Sequence, residues 1–205
     1  LPNTQIADIA GGSYPAFMNI LLALFKSQRL KKGSYLDISM YENLIPLAWL
    51  ALGNFFKGKK IKENLLHLNG GIARYNIYKT KDSKFLALGA LEDKFWKKFC
   101  YLIEAPKNVT LELISNERII EKIQKIILTK NEAYWGEKFK NEKDVCCTPI
   151  NDISNFLNDK HIIEKKIFNY TIELDKKFIP VIPTSLERNM IKLKKINKVP
   201  KLGQH

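Results

Sequence analysis

The sequence is poor in metal ligands and in arginine. Its three cysteines, Cys100 and the adjacent Cys146 and Cys147, include no Cys-x-x-Cys pair, and its three histidines, His67, His161 and His205, lie far apart. Metal-ligand spacing is lacking, which argues against a structural zinc site, and such cysteine usage points to a reducing, cytoplasmic compartment. Only 4 of the 34 basic residues are arginine, the side chain whose planar fork best reads phosphates and bases. The net charge of +13 is spread along the chain, +8 over residues 1–100 and +5 over residues 101–205. An even lysine excess binds polyanions weakly and without specificity, so no nucleic-acid partner is expected. The longest apolar runs, Ile20–Phe25 and Leu44–Leu52, fall short of the roughly 20 residues that span a bilayer, so no membrane partner is expected either. A basic-then-apolar leader is missing, and Leu1-Pro2-Asn3 reads like the middle of a longer protein.

What is present is core. With 45% apolar residues in 205, the chain can bury one sizeable domain or two small ones. Gln5–Ser13 ends in the glycine pair Gly11-Gly12. Ser13 is then a candidate N-cap, with Pro15 in the first turn of a helix running to about Gln28. Phe17, Ile20, Leu21, Leu24 and Phe25 give that helix a broad apolar face. Tyr35–Ser39 reads as a short strand. Met40–Phe56 reads as a second helix, kinked at Pro46.

Beyond a connector, Arg74–Thr80 and Lys84–Gly89 alternate as a hairpin around Lys81-Asp82-Ser83. Phe95, Trp96, Phe99, Cys100 and Ile103 then mark a helical stripe. Asn116–Leu128 and Glu132–Lys140 read as helices, the second capped by Thr129 or Asn131. Val145–Ile150 reads as a strand, Asp152–Leu157 as a short helix and Phe168–Leu174 as another strand. From Ile179 the chain reads as an extended arm. The class is α/β. The expected organisation is part of a large domain over 1–57, a connecting segment over 58–75, a small α+β domain over 76–178 and a return arm over 179–205.

Three constellations could carry chemistry. Asp8 stands just before a glycine pair and a helix start, where open backbone amides and the helix dipole could stabilise an oxyanion. An acid beside such amides suits proton abstraction next to a carbonyl. A capping acid explains Asp8 equally well. Glu92, in Gly89-Ala90-Leu91-Glu92-Asp93-Lys94-Phe95-Trp96, sits where a strand gives way to a helix, a common place for catalytic groups, although an acid there also complements the dipole. Leu68-Asn69-Gly70-Gly71 followed by Tyr75 could place backbone and an aromatic wall against a ligand; a simple turn into the hairpin accounts for the same residues.

Taken together, the motif beginning at Asp8, Gly33 to Met40, Leu68 to Tyr75 and Leu88 to Cys100 resemble the alpha-methylacyl-CoA racemase branch of the class III (CaiB/BaiF-type) CoA-transferase family. Cys147–Ile150, Asp159 to Phe168 and Pro200–His205 extend the likeness over essentially the whole chain. The resemblance implies a two-domain class III CoA-transferase fold of which this is the C-terminal portion. It implies that Asp8 is the active-site acid and that Glu92 supports a catalytic histidine. It further implies that Gly11, Gly12, Leu68, Tyr75 and Leu91 bind substrate. No metal or flavin is implied: coenzyme A enters only as part of an acyl-CoA substrate, and the assembled form would be an interlocked homodimer. The family's histidine lies upstream of the Asp8 motif, so the fragment by itself is expected to be inactive. Three readings follow: a racemase of 2-methyl-branched acyl-CoA esters, a CoA-transferase using Asp8 as nucleophile, and a non-catalytic assembly module.

Overall fold

Residues 4–60, 66–187, 190, 197–199 and 203 are described by a computed structural model. The best-packed part is a three-stranded antiparallel sheet, β1 (Tyr75–Lys79), β2 (Phe85–Gly89) and β3 (Cys147–Pro149), in the order β1-β2-β3. Tyr75 faces Gly89, and Lys79 faces Phe85 across the expected turn. Alternation puts Tyr78, Leu86, Leu88 and Cys147 on the buried face, with Ile77 and Phe85 on the other.

Four helices complete this core. α4 (Asp93–Leu102) buries Trp96, Phe99, Cys100 and Leu102; Ile103 follows them inward. The short α5 (Lys107–Thr110) contributes Val109. α6 (Asn116–Ile127) buries Ile119, Ile123 and Ile127 at four-residue spacing, and α7 (Glu132–Lys140) adds Trp135 and Phe139. The Phe139 ring stands 6.1 Å from Phe99 and 5.7 Å from Trp135. Each buried aromatic with a polar tip keeps a partner, as burial requires. Trp96 Nε1 donates to the Thr110 carbonyl, Trp135 Nε1 to Ile127, and Tyr78 to Ala73.

The free edge of β1 is covered by amide side chains from α6. Lys79 donates its N–H to Gln124 Oε1, while Gln124 Nε2 donates back to the Lys79 carbonyl. Asn116 repeats the pattern on Ala73 and Gly71. Paired edges of this kind resist strand addition. At the other end of the hairpin, Asp82 Oδ1 accepts from the Thr80 hydroxyl at 2.6 Å and from the Glu132 N–H at 3.0 Å. That carboxylate locks the turn onto the start of α7, where Asn131 supplies the cap.

The N-terminal elements follow a different rule. A π-helical segment, Ala7–Ser13, runs without a break into α1 (Tyr14–Leu30), so the helix begins well before the expected cap. Ser13 does not cap it; its hydroxyl donates back to the Asp8 carbonyl. The expectation of short apolar runs also changes. By length and composition alone, Ala7–Leu30 is 24 residues long and apolar enough to cross a membrane, a test that helices of soluble proteins also pass.

The expected kink at Pro46 is present: α2 (Met40–Leu44), a 3₁₀ turn (Ile45–Ala48) and α3 (Trp49–Phe56) replace one straight helix. Ser39 caps α2 through the Glu42 N–H. Tyr35–Ser39 forms no strand among the described residues, because extended backbone becomes a strand only with a partner ladder. Tyr35 itself is 94% exposed. On α1, Leu22 and Phe25 stay 65% and 66% exposed.

After α8 (Ile153–Leu157) and α9 (Lys160–Glu164) comes a second sheet. β4 (Thr171–Leu174) pairs antiparallel with β5 (Lys177–Pro180) and parallel with β6 (Asn197–Lys198). The expected arm therefore starts as a hairpin. Asp175 and Lys176 turn it with φ of 48° and 63°, the left-handed pair that matches strand twist. Most of the remaining arm, including His205, lies outside the described residues. Helix over 48% and strand over 12% of the described residues fit the expected α/β class.

Candidate active site

Asp8 occupies the first turn of the π-helical segment and is exposed. Wider i→i+5 winding is uncommon and concentrates at functional sites. The glycine pair does not leave amides open at a helix start, as the sequence suggested; it allows two helices to touch. A Cβ on Gly11 would meet the Met40 carbonyl oxygen at 2.6 Å, and one on Gly12 would meet the Met40 side chain at 3.2 Å. Asn43 seals the contact by donating to the Gly11 carbonyl at 3.0 Å. Asp8, Gly11 and Gly12 thus share one junction, formed by the π-helical segment with α2.

Glu92 lies on a second centre. It is the N-cap residue of α4, with extended backbone, yet its carboxylate makes no capping hydrogen bond. The side chain is exposed, and an acid at this position complements the helix dipole without such a bond. Three other candidates lie on or beside the hairpin that leads to Glu92. Tyr75 opens β1 opposite Gly89, and its ring edge lies 3.9 Å from where a Gly89 Cβ would stand. Leu68 sits in a turn held by Asn69 and Gly71 N–H bonds to the Leu66 carbonyl. Asn76 Nδ2 ties that turn to β1 through Gly70, which takes φ of 93°. Leu91 and Tyr75 are half-exposed. One end of the β1–β2 ladder therefore carries Tyr75, Leu91 and Glu92, with the Leu68 turn tied to it. No hydrogen bond or ion pair joins Asp8 to Glu92 among the described residues.

Two residues here escaped sequence reading. Arg74 sends Nη1 to the Leu91 carbonyl at 2.9 Å and to Asp93 at 2.7 Å. Its Nε and Nη2 grip both oxygens of Glu112, at 3.0 and 2.7 Å. The Glu112 hydrogen bond raises the pKa of Arg74 above its ordinary value, against the lowering by burial, and Arg74 in turn holds the Asp93 carboxyl below its own. Cys146 is the second. Its carbonyl accepts from the Gly89 N–H, and its thiol pKa is raised, first by desolvation and then by the negative charge of Glu92. Arg74 could have been suspected as a rare arginine beside Tyr75; Cys146 gave no signal.

Comparison with known proteins decides the family. CoA-transferase family III matches residues 1–205. The chain belongs to that family. Among its relatives, a CaiB/baiF CoA-transferase family protein of Caenorhabditis elegans is 30% identical over 83% of this chain and 49% of its own length. Alpha-methylacyl-CoA racemase of Homo sapiens is 26% identical over 100% of this chain and 53% of its own. The crystal structure of Rv3272 from Mycobacterium tuberculosis superposes with a TM-score of 0.69 at 16% identity, over 90% of this chain and 49% of that one. More distant relatives include CoA-transferases, such as human succinyl-CoA:glutarate CoA-transferase. The chain spans about half the length of the curated relatives it matches. Its relatives include proteins named as racemases and as CoA-transferases.

Proposed function

We propose that this chain is the C-terminal part of an acyl-CoA racemase that interconverts the epimers of 2-methyl-branched acyl-CoA esters. The observation that carries the reading is the uncommitted carboxylate of Glu92 at the head of α4, inside the Gly89–Trp96 block that resembles the racemase branch. The thioester acidifies the α-proton. One base removes it from one face, leaving an enolate, and an acid returns a proton to the opposite face. Asp8 serves one face. A histidine from the parent's N-terminal half serves the other, with Glu92 accepting its N–H and holding its orientation. Tyr75, Leu68 and Leu91 line the acyl chain, and Gly11 and Gly12 seat the π-helical segment against α2, which fixes where Asp8 stands. Coenzyme A enters as part of the substrate, and the residues here call for no metal or further cofactor. The parent would work in the cytoplasm as an interlocked homodimer, with the apolar faces of α1 and α3 covered by protein rather than by lipid. These 205 residues alone would not turn over.

The relatives named as CoA-transferases support a second reading, in which Asp8 attacks the thioester and releases CoA thiolate. The thiolate attacks the resulting anhydride to free the donor acid and leave a thioester on Asp8, and CoA then passes to an acceptor carboxylate. One experiment separates the two in the full-length parent. Racemisation exchanges the α-proton with deuterated solvent and needs no acceptor acid. Asp8→Asn should slow that exchange by about 10²–10⁴, and Glu92→Gln by less, about tenfold to a hundredfold. A thioester on Asp8 trapped by hydroxylamine or borohydride, with no solvent exchange, would replace the racemase with the transferase. Full exchange by both variants would remove Asp8 and Glu92 from the chemistry.

A further inference from the structure

Arg74 brackets Glu92 without touching it. Its guanidinium holds the carbonyl of residue 91 and the carboxylate of residue 93, on either side of Glu92. The opposite edge of the same group is anchored to Glu112, in the loop before α6, by two hydrogen bonds. Behind it stands the Trp96 ring, 5.4 Å from Cζ. The backbone completes the tie, because the Arg74 carbonyl accepts from the Ala90 N–H at 2.8 Å. Four of the five guanidinium N–H directions are therefore committed, and the side chain is only 17% exposed. What the clamp fixes is the path of the chain through Leu91 and Glu92 relative to Tyr75, the residue next to Arg74.

We infer that Arg74 is a positioning residue for Glu92: with Asp93 and Glu112 it sets the entry to α4 so that the Glu92 carboxylate stays free to hold a catalytic partner. The inference rests on the proposed role of Glu92, and its test is built to tell the two apart. In the full-length enzyme, solvent deuterium incorporation into a 2-methylacyl-CoA is followed for Arg74→Lys, Asp93→Asn, Glu92→Gln and the two double variants with Glu92→Gln. Arg74→Lys keeps the charge and loses the fork, and should lower kcat about tenfold with KM changed less than about twofold. Asp93→Asn, at an exposed carboxylate, opens one arm without disturbing the core and should lower kcat in the same direction by less. Residues acting through one group are non-additive. In the Glu92→Gln background both changes should therefore cost less than about twofold. Equal losses in both backgrounds would make the clamp merely structural and overturn the inference, as would wild-type kcat in Arg74→Lys while Glu92→Gln is slow. Full speed in Glu92→Gln would instead remove the role of Glu92, and the inference with it.

Discussion

At the residue scale, the two glycines beside Asp8 differ in what they face. The Cβ of an alanine at position 11 meets a backbone oxygen, which cannot rotate away, whereas one at position 12 meets the flexible end of Met40. Overpacking of this kind costs about 1–3 kcal/mol when the neighbour is fixed. Gly11→Ala should accordingly separate the π-helical segment from α2, and Gly12→Ala should be tolerated with a small loss. Limited proteolysis of the segment before Met40 distinguishes them; equal resistance in both variants would contradict the close approach. Neither glycine was legible in this role. Gly11-Gly12 followed by Ser13 and Pro15 reads as a helix start by every local rule. Only the partner helix, 29 residues further on at Met40, reveals that the backbone had to be bare there.

At the scale of elements, local signals worked where they were self-contained. Asn131 caps α7 and Asp152 caps α8, each accepting from the N–H three residues on. The stripe from Phe95 to Ile103 is buried on the side it announced. Tyr35–Ser39 failed because a strand is a property of two segments, and β5 was missed because its turn, Asp175-Lys176, carries no glycine. The hairpin of β1 and β2 has an electrostatic consequence. Hydrogen bonding to the Thr80 hydroxyl, and next to the Glu132 amide, holds the Asp82 carboxyl below its ordinary value. A group depressed in the folded state contributes stability above its unfolded pKa, and that contribution disappears as pH falls through the folded value. Melting temperature should therefore stay level down to about pH 4 and fall below it. Asp82→Asn, which still accepts both hydrogen bonds, should make the acid limb shallower. An unchanged limb would show that the turn carboxylate contributes nothing to it.

At the scale of the whole molecule, packing is uneven. Every buried hydrophobic residue of the core lies between Ala73 and Cys147, and the helices before residue 57 bury only Gly11 among the described residues. Opening free energies follow buried contacts rather than hydrogen-bond number. In the isolated 205-residue chain, amides of α4, α6 and β2 should exchange with deuterium slowest, and those of α1 and α3 should exchange fast. Slow exchange throughout α1 would mean that its apolar face is covered in solution even without the rest of the parent. This unevenness also marks the limit of sequence reading. The sequence patterns located the candidate residues, but Asp8 and Glu92 fall on separately built elements, and nothing within either element specifies how they meet.

The extra-wide winding at Ala7–Ser13 bears on how this segment can change in length. Successive residues of an α-helix are offset by about 100° around the axis, and a π-type turn holds one residue more than the α-turn it replaces. Losing a single residue between Ile9 and Gly12 would therefore cost the helix nothing in continuity or hydrogen bonding. It would also leave Asp8 aimed almost as before relative to α1, because the π-type turn and the shorter α-turn each close about one revolution. A one-codon deletion here would leave an ordinary α-helix with its acid on nearly the same face.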